Sequence, residues 1–83
     1  MRVLYFAWLK DRLGCAEETV ALPAAVGNVG ALLDWMRARS PRHQEAFAEG
    51  SRIRAAVNQE FATDATRIAP GDEIAFFPPV TGG

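Results

Sequence analysis

The sequence predicts an α+β domain in which one main helix packs against one face of a small mixed β-sheet. Three observations lead to this fold class. Two runs near opposite ends of the chain, Arg2–Trp8 and Glu73–Phe77, are dense in the aromatic and β-branched residues that favour strands. A segment between them carries apolar residues at helical spacing. The length, 83 residues, allows one domain with one small core.

The first predicted strand, Arg2–Trp8, is apolar on both of its faces. Successive strand residues point to opposite sides of a sheet. One side carries Val3, Tyr5 and Ala7, and the other carries Leu4, Phe6 and Trp8. A short helical turn is expected from Leu9 to Gly14, and Glu17–Leu22 is predicted to return as the second strand of a hairpin.

The clearest predicted helix begins after Asn28, because asparagine is a favourable N-cap residue. Its apolar residues follow the helical repeat: Val29, Leu32, Leu33 and Met36. A second, short helix is predicted from Ser40-Pro41 to about Ala48, ending at Gly50. His43 has no metal-ligand partner at helical spacing there, so it is expected to be exposed and without function.

The second half of the sequence predicts three more strands. Arg52–Asn58 alternates with Ile53, Ala55 and Val57 directed inward, and a turn at Asn58-Gln59 leads to a brief strand over 60–62. Ile68 is expected to fill the core before a turn over 69–72. The last strand, Glu73–Phe77, again has two apolar faces, so residues 1–77 form the predicted domain and residues 78–83 a tail.

These elements predict a β-grasp arrangement, in which the first and last strands lie side by side in the middle of the sheet. One helix on one sheet face is the smallest closed core that they can build. The opposite face then keeps an apolar patch, for which we name Phe6, Phe61 and Phe77. Because Phe77 directly precedes the tail, the patch is predicted to be a docking surface for another protein.

The tail begins at Pro78 and ends in a diglycine, Gly82-Gly83. The prolines favour an extended path, and glycines, which lack a Cβ, can enter a narrow slot. Fully extended, the tail reaches roughly 20 Å. The sequence therefore indicates a slender, flexible tail with a carboxylate at its tip, and a frayed terminus is the alternative interpretation.

Composition and motifs exclude several classes of function. A formal net charge of −1 indicates no excess of positive charge for binding nucleic acid or an anionic membrane. Cys15 is the single cysteine, so an internal disulfide is excluded, a cytoplasmic location is expected, and Cys15 is interpreted as a turn residue. The sequence holds no phosphate-binding loop, no paired metal-ligand spacing and no serine–histidine–acid set, so we expect no bound cofactor and no metal.

The one reactive group in an unusual setting is the carboxylate of Gly83. A carboxylate is a poor acyl donor until its oxygen is replaced by a better leaving group. Adenylation with ATP would supply that leaving group, and a sulfur nucleophile could then displace AMP to leave a thiocarboxylate. The sequence therefore predicts a substrate of other enzymes rather than a catalyst.

Three stretches carry a family resemblance: Val3–Ala7, Ala55–Gln59 and Gly71–Gly83. With them the chain resembles the small subunits of molybdopterin synthase, a family of ubiquitin-like sulfur carriers. The resemblance covers essentially the whole chain, and Phe-Phe-Pro-Pro-Val-Thr-Gly-Gly is its most specific part. Residues 39–52 are not matched, and no function is assigned to them.

The resemblance implies a sulfur-transfer pathway. A ubiquitin-activating-like adenylyltransferase would adenylate Gly83 with ATP, and a persulfide-bearing sulfur donor protein would supply the thiocarboxylate. The tail would then enter the active site of the large synthase subunit through Pro79, Val80, Thr81, Gly82 and Gly83. Its sulfur would help to build the dithiolene of molybdopterin from cyclic pyranopterin monophosphate, during molybdenum cofactor biosynthesis.

The resemblance also implies a division of labour between subunits. The catalytic side chains would belong to the large subunit, and this chain would be a non-catalytic sulfur-donor subunit of a heterotetrameric transferase. Phe6, Phe61 and Phe77 fall where the family places hydrophobic partner contacts. Three alternatives stay open: a sulfur carrier for another pathway such as thiamine thiazole synthesis, a protein modifier joined to lysines through Gly83, and an interaction module with an inert tail.

Overall fold

The computed structural model describes residues 1–48 and 53–79 of the chain. Three helices lie in these residues: α1 (Trp8–Leu13), α2 (Val29–Arg37) and α3 (Pro41–Ala46). Five strands accompany them: β1 (Arg2–Tyr5), β2 (Glu17–Thr19), β3 (Arg54–Val57), β4 (Glu60–Ala62) and β5 (Glu73–Phe77). Within the described ranges, no helix is long and apolar enough to cross a membrane.

The strands form one mixed sheet in the order β2-β1-β5-β3-β4. The first and last strands, β1 and β5, lie side by side in its middle and run parallel. All other neighbours are antiparallel. The predicted β-grasp arrangement is therefore confirmed.

One face of this sheet packs against the helices and forms the core. The apolar stripe of α2 is buried as predicted, with Leu32 and Met36 fully excluded from solvent. The helix begins at the predicted cap, where the side chain of Asn28 accepts a hydrogen bond of 2.8 Å from the amide of Ala31. On the sheet side, the rings of Phe47 and Phe76 meet edge to face at 5.3 Å between centroids. Such a contact is favourable beyond the area that it buries.

The first strand is shorter than predicted, because the backbone turns at Ala7. Ala7 has φ 55° and ψ −133°, a left-handed conformation that costs an alanine roughly 1–3 kcal/mol. The turn ends the pairing after Phe6, and the chain enters α1 at Trp8 instead of continuing as a strand. Ala7 is exposed rather than directed inward, and Trp8 is half-buried beneath the guanidinium of Arg12, which lies 4.7 Å from its ring centroid.

Three further boundaries differ from the predictions. Strand β2 ends at Thr19 rather than Leu22, because the pairing register ends where the amide of Val20 donates to Met1 at the start of β1. Helix α3 ends at Ala46, two residues before the predicted end. Strand β3 covers the middle of the predicted range, and the predicted helix stop at Gly50 lies outside the described residues.

The turn between β3 and β4 lies where the sequence predicts it. Asn58 and Gln59 both have positive φ, 51° and 70°. Two consecutive left-handed residues match the twist of a hairpin, and asparagine tolerates this conformation better than most residues. The Asn58 side chain also accepts a 3.0 Å hydrogen bond from the amide of Glu73, which ties the turn to the start of β5.

Candidate docking surface

The sheet face opposite the helices carries an exposed aromatic cluster at the end where β5 stops. Phe6 is 50% exposed and Phe61 is 86% exposed. Phe77 is half-buried, and its ring lies 6.0 Å from that of Phe61, with the planes tilted by 59°. The amide of Phe6 donates 3.1 Å to the carbonyl of Phe76, which fixes Phe6 beside the end of β5. The three predicted aromatics therefore share one face; we call them the aromatic patch.

Half-buried apolar residues continue the surface across the sheet. In the register, Ala56 of β3 lies opposite Phe61 of β4 and also opposite Ala75 of β5. Ala75 in turn pairs with Leu4 of β1. Side chains at paired positions lie on the same sheet face. The open face thus carries an apolar row from β1 to β4, beside the aromatic patch.

The other end of the same face is charged. The guanidinium of Arg2 donates to the carboxylate of Glu17 at 2.7 Å and to that of Glu73 at 3.1 Å, and so bridges β2, β1 and β5. The hydrogen bond from Arg2, together with its charge, lowers the pKa of Glu17. Pairs this exposed contribute little to folding because water and salt screen them. They mark the border at which the apolar surface ends.

The chain leaves the sheet directly from this surface. Pro78 and Pro79 follow Phe77 and are half-buried. Of the five predicted tail residues, only Pro79 lies in the described part of the chain. Val80, Thr81, Gly82 and Gly83 lie outside it, so their predicted roles stay predictions.

A polar cluster on the helix side of the sheet was missed by sequence reasoning. The carboxylate of Glu18 accepts hydrogen bonds from the buried hydroxyl of Tyr5 and, at 2.9 Å, from Nε2 of His43. Nδ1 of His43 lies 2.7 Å from the hydroxyl of Ser40, which also caps α3. The prediction that His43 is exposed is wrong: only 12% of its side chain is accessible. The partners lie 25 residues apart in the chain, so no local signal could have found them.

Burial and charge act in opposite directions on the titration of this cluster. Desolvation raises the pKa of Glu18, but hydrogen bonds from Tyr5 and His43 and the nearby positive charges outweigh it, so the net shift is downward. Burial and the hydrogen bond to Glu18 raise the pKa of Tyr5. Glu18 is therefore a carboxylate on the helix side of the sheet, and neighbouring hydrogen-bond donors hold it in its charged form.

Residues 1–48 and 53–79 hold no group of three or more His, Cys, Asp or Glu side chains that could bind a metal ion. Cys15 lies half-buried after α1, in the connection to β2, where the sequence predicts a turn residue. The aromatic patch and the apolar row beside it are thus the main candidate functional site among the described residues.

The strand order, the parallel central pair and the helix across one face define a ubiquitin-like β-grasp domain. Its fold is similar to the crystal structure of H. volcanii small archaeal modifier protein 1, with a TM-score of 0.73 and 29% sequence identity over 96% of this chain and 97% of that one. It is also similar to the crystal structure of SAMP1 from Haloferax volcanii, with a TM-score of 0.77 and 31% identity over 100% of this chain and 98% of that one. The likeness extends over the whole domain rather than over one motif.

The chain belongs to the ThiS family, whose model matches residues 3–83. It is 41% identical over 83 residues to the molybdopterin synthase sulfur carrier subunit of Escherichia coli (strain K12), covering 100% of this chain and 99% of the relative. It is 35% identical over 86 residues to the subunit of the same name from Mycobacterium tuberculosis, covering 100% and 96%. The family resemblance inferred from the sequence is confirmed.

Proposed function

We propose that this chain is a sulfur carrier subunit of a molybdopterin synthase, carrying its sulfur as a thiocarboxylate on Gly83. The observation that carries the proposal is the position of the aromatic patch. Phe61 and Phe77 touch on the open face of the sheet, and the chain passes from Phe77 straight into the tail. A partner that binds the aromatic patch therefore lies next to Pro78, where the tail begins.

The chemistry proposed for Gly83 has three steps. In the first, a carboxylate oxygen of Gly83 attacks the α-phosphorus of ATP, and pyrophosphate leaves to give an acyl adenylate. In the second, sulfur from a persulfide-bearing donor forms a bond to the acyl carbon, and AMP leaves with the electron pair of the broken C–O bond. This gives an acyl disulfide. In the third, a thiol acts as the reductant: it attacks the donor's own sulfur and forms a disulfide with it, and the thiocarboxylate leaves with the electron pair of the broken S–S bond. An adenylyltransferase related to ubiquitin-activating enzymes would catalyse the first step.

The proposed acceptor complex is formed with the large synthase subunit. Burying an exposed aromatic side chain contributes about 1.5–3 kcal/mol, so the aromatic patch supplies enough apolar surface for a specific contact. Residues 79–83 would then extend into the large subunit, because Pro79 favours an extended path and the diglycine is thin. We propose an assembly of two small and two large subunits in the cytoplasm, in which the large subunit supplies the catalytic side chains.

A loading experiment tests the proposal. The chain is incubated with a cognate adenylyltransferase, ATP and a persulfide donor, and its intact mass is measured. We expect the mass gain of one oxygen exchanged for sulfur, located on Gly83 by fragmentation. A matched variant with one residue added after Gly83 should fold normally and gain nothing, because its terminal carboxylate is displaced. Loading of the extended variant, or no loading of the original chain by an active enzyme, contradicts the proposal.

A second candidate function is that of a protein modifier joined to lysines through Gly83. The observation that favours it is the 29% identity and TM-score of 0.73 to a protein named as an archaeal modifier. The two candidates share the adenylation step and differ in the nucleophile that follows it. Isopeptide-linked conjugates that carry the C-terminal peptide of this chain in cell lysate favour the modifier. Their absence, with sulfur loading intact, favours the carrier.

A further inference from the structure

The chain is almost free of nucleophilic amines. Nine residues of the chain are lysine or arginine. Lys10 is the single lysine, and the other eight are arginines. The guanidinium of arginine stays protonated in proteins and does not act as a nucleophile at neutral pH. A lysine amine, in contrast, attacks activated acyl groups in the fraction of molecules in which it has lost its proton. The side chains therefore offer one amine to an activated C-terminus.

Lys10 is placed for such an attack. It lies on α1 and is exposed, and among residues 1–48 and 53–79 its ammonium group makes no hydrogen bond or ion pair. It lines an open surface hollow of about 380 Å³ together with Gly14 and Cys15. Gly14 caps α1 at φ 77° and contributes no side chain to the hollow. Nη1 of Arg42 lies beside Gly14, where it donates a 3.4 Å hydrogen bond to the carbonyl of Leu13. Lys10 itself is exposed, so an activated diglycine can reach it from the solvent side.

The α-amine of Met1 is the natural competitor, because it is the other primary amine of the sequence. Its position hinders it as a nucleophile. The nitrogen of Met1 donates a 2.9 Å hydrogen bond to the carbonyl of Val20, and the amide of Val20 donates a 2.9 Å bond back to Met1. Met1 is also partly buried against the core. An attacking nitrogen must approach the acyl carbon to about 3–3.5 Å, which this pairing hinders.

The thiol of Cys15 is the third nucleophile to consider. It is half-buried. Burial, followed by the nearby carboxylate of Glu18, raises its pKa. Only the thiolate attacks an acyl carbon, so Cys15 is a poor acceptor.

We propose that Lys10 of one copy is the isopeptide acceptor for the activated Gly83 of a second copy. This inference rests on the proposed adenylation of Gly83. The free amine of Lys10 attacks the acyl carbon of the adenylate, the C–N bond forms, AMP leaves with the electrons of the C–O bond, and the surplus proton goes to water. Because each copy has one donor and one acceptor, the products are linear, unbranched chains. They form when sulfur does not capture the adenylate first.

The test omits the sulfur donor. The full chain is incubated with the adenylyltransferase and ATP, and the products are separated by denaturing electrophoresis in reductant. We expect a dimer whose mass is twice that of the monomer less one water. Trypsin should leave Lys10 uncut and release one branched peptide, in which residues 3–12 carry residues 68–83 of the second copy. Lys10→Arg keeps the charge and should lower the dimer yield by about tenfold or more.

Two controls make the outcome decisive. Cys15→Ser should leave the dimer yield unchanged, and loss of the dimer in that variant overturns direct attack by Lys10. Lys10→Arg should gain sulfur normally when the donor is restored, which separates this inference from the proposed function. A branch on Met1, a dimer that survives Lys10→Arg, or a link within one monomer overturns the inference. Normal sulfur loading without any Lys10 branch also overturns it and leaves the carrier function standing; failure of both overturns both.

Discussion

The two faces of the central strands have similar residue types and opposite surroundings. On β5, Ile74 and Phe76 point to the helices and are fully buried. Ala75 and Phe77 alternate with them on the open face and are only half-buried. Nothing in the hydrophobicity of Phe76 and Phe77 distinguishes the residue that builds the core from the residue that is left for a partner. The difference comes from the placement of the helices: α1, α2 and α3 all contribute buried residues on the same face of the sheet.

This comparison explains why a small domain can keep apolar surface exposed and still fold. Its core is closed by α1, α2, α3 and the inward residues of the sheet, and the three phenylalanines of the aromatic patch lie outside it. Apolar residues on the open face are free to serve binding. Stability and binding should therefore respond to different residues, even between neighbours on one strand.

The largest effect is expected from paired substitutions on β5. Phe76→Ala should lower the free energy of unfolding by about 3–5 kcal/mol, because it leaves a cavity where the Phe76 ring meets Phe47. Phe77→Ala should lower it by only about 1 kcal/mol, since that ring is half-exposed. Urea titrations followed by circular dichroism measure both values. Equal losses of unfolding free energy in the two variants would contradict the distinction between the two sheet faces.

A smaller effect, on the free energy of binding rather than of unfolding, is expected at Phe61. Phe61→Ala should weaken the complex with the large synthase subunit by about tenfold or more, which is about 1.4 kcal/mol. Its unfolding free energy should stay within about 0.5 kcal/mol of the original, because the side chain is 86% exposed. Titration calorimetry gives the affinity, and Glu45→Ala on the exposed side of α3 is the matched control. An unchanged affinity in Phe61→Ala would remove the aromatic patch from the interface.

The smallest effect is expected from charge, at the neighbouring residues Glu17 on the open face and Glu18 on the helix side. Both carboxylates have a pKa below the usual 4.5. Each therefore stabilises the fold above that pH, and the stabilisation is lost as the pH falls through the lowered pKa. Glu17 bonds to Arg2 on the open face, where salt screens the pair, whereas Glu18 lies among buried donors.

Thermal unfolding between pH 3 and 7 in about 1 M salt, where screening acts within roughly 3 Å, separates the two. Glu18→Gln should flatten the acid loss of stability and lower the unfolding free energy at pH 7 by about 1 kcal/mol. Glu17→Gln should reproduce the original curve. If Glu17→Gln flattens the curve as much as Glu18→Gln does, the helix-side cluster has no special role.

Local patterns were enough to predict most of the fold. The alternation on β3 and β5, the caps at Asn28 and Ser40 and the helical stripe of α2 are all signals carried by neighbouring residues, and the structure agrees with each. Strand parity also predicts that Phe6 and Phe77 lie away from the helix. The central position of the first and last strands is predicted because few arrangements close a core with a single main helix.

The features that sequence reasoning missed depend on long-range contacts or on backbone strain. The left-handed backbone of Ala7 has no signal in an alanine, so the sequence predicts a first strand that continues through Trp8. The link from His43 to Glu18 joins residues distant in the chain, and no periodicity reports it. The end of β2 depends on where its partner β1 begins rather than on the residues of β2 themselves.

The most direct test of the sulfur-carrier account is a single-turnover transfer experiment. The chain is loaded with sulfur, purified, and mixed with the large synthase subunit and cyclic pyranopterin monophosphate, and its intact mass is followed with time. The account predicts that the mass returns to that of the carboxylate only when both additions are present, as the dithiolene product forms. Retention of sulfur in the complete mixture, or equal loss without the large subunit, would contradict it.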